Sequence, residues 1–317
     1  MNIVIITPAA APVLGGNRNT AQRWARLLRE LGHRVRIGTA WDSRAADAMI
    51  ALHARKSHAA IKNFSLAQPA APLILCLTGT DLYRDIQFDA EAQESMQLAT
   101  RLIVLQEQGL NELPPQIRAR TRVIYQSARL VKSVPPLKSC FEIYVIGHLR
   151  EEKDPFRCAM ALQYLPASSR IVVRQLGQSL SQEMEDEAKQ WMQHEPRYQW
   201  LGEVSHAAAR RRLARSRLLV VSSRMEGGAN VISEAVISRV PVLASNIAGN
   251  IGMLGKDYAG YFELENEREL AKLLHRAESD KIFYRRLKTQ CAKRLSLLRE
   301  KNEKASLRRL LSESLAR

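Results

Sequence analysis

The chain has 317 residues, with 48 basic side chains against 32 acidic ones and a formal net charge of +16. Hydrophobic residues make up 46% of it, which excludes a disordered chain and is enough for two cores in domains of about 150 residues each. The positive surplus favours polyanionic partners, whether nucleic acid, acidic lipid or phosphorylated small molecules, without choosing between them.

The opening, MNIVIITPAA, enters a β-strand at once and has no charged leader, so it does not read as a signal peptide. No run of about 18 apolar residues is present. The four cysteines, Cys76, Cys140, Cys158 and Cys291, make no C-x-x-C pair and suggest neither a zinc site nor a disulfide framework. These features fit a reducing, cytoplasmic setting, with no metal required.

Asn2–Thr7 is a short β-branched run of the kind buried in a parallel sheet. After a loop with Gly15, Gly16 and Asn17, a helical pattern follows with Ala21, Trp24, Leu27, Leu28 and Leu31, which Gly32 stops. His33–Gly38 is the next strand, completing a β-loop-α-β unit. Further strands are expected at Met49–Leu52, Leu73–Leu77, Leu102–Leu105 and Val123–Tyr125. The pair Pro135–Pro136 then marks a linker.

A second series begins at Glu142–Gly147 and continues with Arg170–Arg174, Tyr198–Leu201, Leu218–Ser222 and Pro241–Ala244. Two consecutive α/β series predict two Rossmann-like domains facing a cleft, residues 1–135 and 136–290, with a basic amphipathic helix over 291–317. The tail carries Leu287, Leu295, Leu298, Leu307, Leu310 and Leu311, and core packing is its simplest reading. The arginine run Arg210, Arg211, Arg212, Arg215 and Arg217 reads as solvated helix surface. Nucleic-acid binding lacks support, since basic and aromatic residues do not interleave and no zinc or helix-turn-helix signature is found.

The most informative stretch is Ser222–Val236. It leaves a buried strand, passes Gly227 and Gly228 and enters a helix, so backbone amides and a helix N-terminus can meet an anion there. Glu226 precedes the helix and Glu234 lies about one turn inside it. The pair Glu226 and Glu234, followed by Arg239–Leu243, resembles the donor-site signature of retaining glycosyltransferases with the GT-B fold. That resemblance implies Glu226 beside the transferred sugar, Glu234 on the donor ribose, and Gly227, Gly228 and Asn230 at the diphosphate or sugar hydroxyls. A second match is Gly147–Pro155. The family places an arginine directly after the glycine and a lysine five residues later. Lys153 matches the lysine, His148 stands at the arginine position, and Arg150 follows two residues on. Lys153 and Glu226 are therefore the expected catalytic residues. Cations beside a departing UDP stabilise its developing charge without a metal.

The N-terminal half is expected to hold the acceptor on three loops at the carboxyl ends of its strands. These carry Asn17, Arg18 and Thr20; His53, Arg55 and Lys56; and Thr78, Thr80 and Asp81. Helix capping is the plain alternative for Asn17, Thr20 and Ser57. The Gly79–Asp81 element is similar to one in the glycosyltransferase of bacillithiol synthesis, where a histidine precedes the glycine; here it is Thr78. A hydroxyl acceptor needs a base, whereas an ionised nucleophile needs only positioning.

Over nearly the whole length the chain resembles the selenosugar synthases of selenoneine biosynthesis, through Thr7–Ala10, Gly16–Arg18 with Thr20 and Arg23–Ala25, Leu52–Ser57, Leu77–Tyr83 and Gly147–Pro155. That resemblance implies joining selenophosphate to the sugar of UDP-N-acetylglucosamine or UDP-glucose, with a carbon–selenium bond formed and UDP and phosphate released. It also implies a functional link to an enzyme that produces selenophosphate, with no separate cofactor. The alternatives are a GT-B glycosyltransferase with another small thiol or hydroxyl acceptor, and an epimerase acting on the nucleotide sugar itself.

Overall fold

The computed structural model describes residues 1–8, 15–132 and 134–315. The chain forms two compact units. The first comprises Met1–Gln126, Glu226–Ala229 and Glu300–Arg317; the second comprises Ser127–Met225 and Asn230–Arg299.

The first unit is built on a parallel six-stranded sheet, order β2-β1-β3-β4-β5-β6. Its strands are β1 (Asn2–Ile6), β2 (Arg34–Gly38), β3 (Ala48–Leu52), β4 (Leu73–Cys76), β5 (Arg101–Val104) and β6 (Thr121–Val123). Side chains alternate across the sheet. Val4 and Ile6 pack with Met49, Phe64 and Leu75 on one face, while Ile3 and Ile5 pack with Trp24, Leu27 and Leu28 on the other. The helix Gly16–Glu30 buries Trp24, Leu27 and Leu28 because they share one face at spacings of three and four. It ends where Gly32 takes φ +88°, a conformation that favours glycine.

The expected strand at Val123–Tyr125 lies two residues earlier, at Thr121–Val123. The Ile124 amide still donates to the Val104 carbonyl, so the ladder continues one bond beyond it.

The second unit has a parallel six-stranded sheet, order β12-β11-β10-β7-β8-β9. Its strands are β7 (Phe141–Ile146), β8 (Ile171–Leu176), β9 (Tyr198–Trp200), β10 (Leu218–Val221), β11 (Val242–Ser245) and β12 (Tyr261–Phe262). The sequence reading missed β12, whose two residues are too few to show a pattern. In both sheets the order reverses beside the first strand of the unit, between β1 and β3 and between β7 and β10. Open α/β sheets bind ligands beyond the carboxyl ends of such strands.

The tail is two helices, Lys281–Lys293 and Glu300–Leu315; Ala316 and Arg317 lie outside the described residues, as do Ala9 and Ala10 of the opening motif. The last helix belongs to the first unit, where Leu307, Leu310 and Leu311 join Trp24 in the core. Glu303, 1% exposed, accepts from Trp24 Nε1 at 2.7 Å and from Arg23 Nε at 3.0 and 3.1 Å. No described helix is long and apolar enough to cross a membrane.

Candidate functional site

The loop after β7 begins at Gly147. Gly177, at φ +144°, packs against the Gly147 carbonyl and leaves no room for a Cβ. The Lys153 stem runs beside Gly147, its Cδ and Cε 3.7 and 3.8 Å from where a Cβ on that glycine would stand. A bulkier residue there would displace the lysine. Asp154 closes the loop in the left-handed conformation, φ +43°, and is held by Arg157 at 2.8 Å. Arg150 lies 3.9 Å from Glu152. His148 follows the glycine directly, at the head of the same loop.

Strand β10 ends beside this loop. Ser222 Oγ donates to the Asp154 carbonyl at 2.8 Å and to that of Lys153 at 3.1 Å, and the Arg224 amide donates to the Glu152 carbonyl at 2.9 Å. The two loops at the β7/β10 reversal are therefore one bonded assembly, and its partner residue Ser222 carried no motif of its own. The helix Asn230–Ile237 then starts, with Asn230 at its first position and Glu234 one turn in and 8% exposed. Glu234 Oε1 meets His206 Nε2 at 2.5 Å. His206 went unnoticed in the sequence, because 28 residues separate the two and only the fold joins them.

Gly227 and Gly228 have a packing role that the sequence did not reveal. Within the first unit, a Cβ on Gly227 would land on the Thr78 carbonyl oxygen, and one on Gly228 would collide with Leu105 Cβ. Glycine is required here for close approach of backbone to backbone. Glu226, at the start of this segment, is 8% exposed.

The loops after β3 and β4 are joined through Asp81, which is fully buried. Its Oδ1 accepts from the Thr78 amide, the Thr78 hydroxyl and the Gly79 amide, each at 2.9 Å, and its Oδ2 accepts from the Ala54 amide at 2.9 Å. Arg55 and Lys56 are exposed, and Arg55 Nε reaches Asp85 Oδ2 at 3.2 Å. Asp85 also pairs with Arg84 at 3.1 Å. His53 is 2% exposed and lies 3.1 Å from Thr80 Oγ1. Burial pushes its imidazole below the ordinary value, outweighing the pull of Asp81 and Asp85.

Asn17 and Arg18 lie in the first turn of the helix Gly16–Glu30. Thr20 is buried, and its hydroxyl donates to the Gly16 carbonyl at 2.9 Å. Gly15, not Asn17, occupies the cap position. Among the described residues no group of three His, Cys, Asp or Glu side chains is placed to hold a metal ion.

The model of the family described as "Glycosyl transferases group 1" matches residues 132–294, just over half of the chain. The chain belongs to the group 1 glycosyl transferases. No curated protein sequence matches this transferase. Its fold is shared with solved structures at low identity. Anabaena Alr3699/HepE, solved with UDP and glucose, is 16% identical with a TM-score of 0.76, over 100% of this chain and 99% of that one. The sucrose-phosphate synthase of Thermosynechococcus elongatus is 15% identical with a TM-score of 0.80, over 99% of both. A glycosyltransferase from Rickettsia africae is 14% identical with a TM-score of 0.73, over 99% of this chain and 98% of that one. The transferase thus has the GT-B fold of two Rossmann-like sheets with C-terminal helices.

Proposed function

We propose that this transferase moves the sugar of UDP-N-acetylglucosamine or UDP-glucose onto selenophosphate. Selenium attacks the anomeric carbon, the bond from that carbon to the UDP oxygen breaks, and UDP leaves with the electron pair. Water then cleaves the phosphorus–selenium bond, giving a 1-selenosugar and phosphate. Structures of Alr3699/HepE with UDP and with UDP-glucose support the donor class.

In this reading, residues 136–290 bind the donor and residues 1–135 the acceptor. Lys153, with Arg150 and His148, holds the diphosphate and stabilises the charge of the departing UDP. Glu226 orients the sugar, Glu234 meets the ribose, and the backbone from Gly227 to Asn230 meets the phosphates or sugar hydroxyls. Asn17, Arg18, Thr20, Arg55, Lys56, Thr78 and Thr80 serve the acceptor, with Asp81 shaping its loop. The cytoplasm suits the reaction because selenophosphate stays reduced there, close to the enzyme that makes it.

One observation carries the choice of acceptor. The loops after β3 and β4 expose Arg55 and Lys56, while Asp81 accepts four hydrogen bonds and Asp85 pairs with two arginines. Arg55, Arg84 and Lys56 outnumber the two carboxylates, and both carboxylates are engaged. Such a surface suits a nucleophile that arrives ionised better than an alcohol that needs a base.

The test is to incubate the protein with each UDP-sugar and selenophosphate, a small thiol or a hydroxy acid, and identify products by mass spectrometry. The expected product is the selenosugar with UDP, absent in Lys153→Ala and Glu226→Ala variants that remain folded. Transfer only to the thiol or hydroxy acid, or donor consumption without any acceptor, refutes the selenium chemistry.

A further inference from the structure

His53 follows β3 directly and takes φ +77°, in the left-handed region that a residue with a Cβ adopts only at a cost. Asparagine or glycine would adopt this backbone conformation more readily, so the turn alone does not explain an imidazole. The ring is 2% exposed, and both of its nitrogens have neighbours. The Lys56 amide donates to Nδ1 at 3.4 Å, and Nε2 lies 3.1 Å from Thr80 Oγ1. Asp81 Oδ2 and Asp85 Oδ2 are each 3.9 Å from the ring, too far for a hydrogen bond.

An amide N–H can only donate, so this long contact favours the tautomer with Nδ1 bare. A neutral imidazole with bare Nδ1 carries its proton on Nε2. That proton is then given to Thr80 Oγ1, which can only accept it. The threonine hydroxyl keeps one proton of its own, and with a lone pair already taken it has to direct that proton away from the ring. Thr80 is partly exposed, so the proton is available to a ligand.

We propose that His53 is a positioning residue that sets the Thr80 hydroxyl as a hydrogen-bond donor to an anionic acceptor substrate. The acceptor class is a small phosphate-like oxyanion bearing a soft nucleophilic atom, flanked by the Arg55 and Lys56 charges. A fixed donor in this place suits an oxyanion, which accepts a proton without having one to give. This rests on the selenophosphate reading above and adds to it the source of the discrimination.

Thiophosphate is the probe, titrated by calorimetry into the full chain saturated with UDP. Thr80→Val should weaken its binding about tenfold or more, the loss of a hydrogen bond to a charged group, with UDP affinity unchanged. Thr80→Ser should stay close to the natural protein. His53→Asn keeps the backbone conformation but is too short to reach Thr80; it should weaken binding similarly, and the double variant should be no worse than Thr80→Val alone. Nitrogen-15 NMR near neutral pH should show His53 neutral with its proton on Nε2. Equal thiophosphate affinity in the natural protein and Thr80→Val overturns the inference, as do fully additive effects, a proton on Nδ1 or no saturable thiophosphate binding. Should His53→Asn fail to fold, the threonine pair and the spectrum still decide. Mass spectrometry of selenosugar formation tests the reaction separately. Threonine-dependent anion binding without product removes the reaction alone, and product without that dependence removes this inference alone.

Discussion

His206 Nε2 and Glu234 Oε1 lie 2.5 Å apart, joining the first residue of the helix His206–Arg215 to the middle of the helix Asn230–Ile237. The histidine side chain is 45% exposed and the glutamate 11%, so water weakens the contact without removing it. Its value lies in fixing the carboxylate proposed to meet the donor ribose. His206→Ala should loosen UDP binding roughly fivefold, about 1 kcal/mol, with little change in melting temperature. Unchanged UDP affinity by calorimetry would show that Glu234 is held without it.

The fit of Gly227 against Thr78 gives a second expectation. Gly227→Ala places a methyl group on the Thr78 carbonyl oxygen, and neither backbone can yield cheaply. Activity should be lost, with a stability cost of about 1–3 kcal/mol from overpacking. Among the described residues nothing lies within 4 Å of a Cβ added to Gly15, so Gly15→Ala is the control and should melt like the natural protein. Indistinguishable denaturation curves and activities for the two variants would contradict the close approach.

Glu303 is the buried anchor of the last helix. Removing it leaves Arg23 and Trp24 Nε1 without their shared acceptor inside the first unit. Glu303→Ala should cost about 3–5 kcal/mol, the range for breaking a buried ion pair by deleting one partner. Chemical denaturation followed by tryptophan fluorescence measures this directly, and a loss under about 1 kcal/mol would make the pair a surface-like one.

His53 makes stability depend on pH in a defined direction. Burial is the main cause of its lowered pKa; Asp81 and Asp85 pull it up, while Lys56 and Arg55 push it further down. A free imidazole titrates near about 6.5. As pH falls through that value the unfolded chain takes up the proton first. The contribution is therefore complete above about 6.5 and declines below it until the folded imidazole titrates too. Denaturation midpoints across this window should fall with pH, and His53→Asn should flatten the slope. An unchanged slope in the variant assigns the effect to another group.

Much of the fold could be read from the chain because a parallel sheet buried on both faces needs unbroken apolar runs, as in Ile3–Ile6 and Leu218–Val221. The strand, glycine turn and helix from Leu218 to Ile237 were equally legible, since those residues are close in sequence. What escaped depends on distance along the chain. His206 and Glu234, Gly227 and Thr78, and Glu303 and Trp24 are partners only after folding, and no periodicity announces them. Asp81 shows the opposite limit. Its position in a loop motif suggested ligand contact; three short hydrogen bonds use it to close its own turn and a fourth, from the Ala54 amide, ties that turn to the loop after β3.

The return of Glu300–Leu315 to the first unit makes the N-terminal sheet a product of two segments far apart along the chain. A ribosome that has released only the first 126 residues has made every strand of that sheet but not the leucines that cover Trp24. The nascent half must wait, with an apolar flank uncovered, until Glu300–Leu315 has been made. Any clone truncated before Glu300 inherits that same open flank permanently and should be recovered from cells as aggregate rather than as a separate domain.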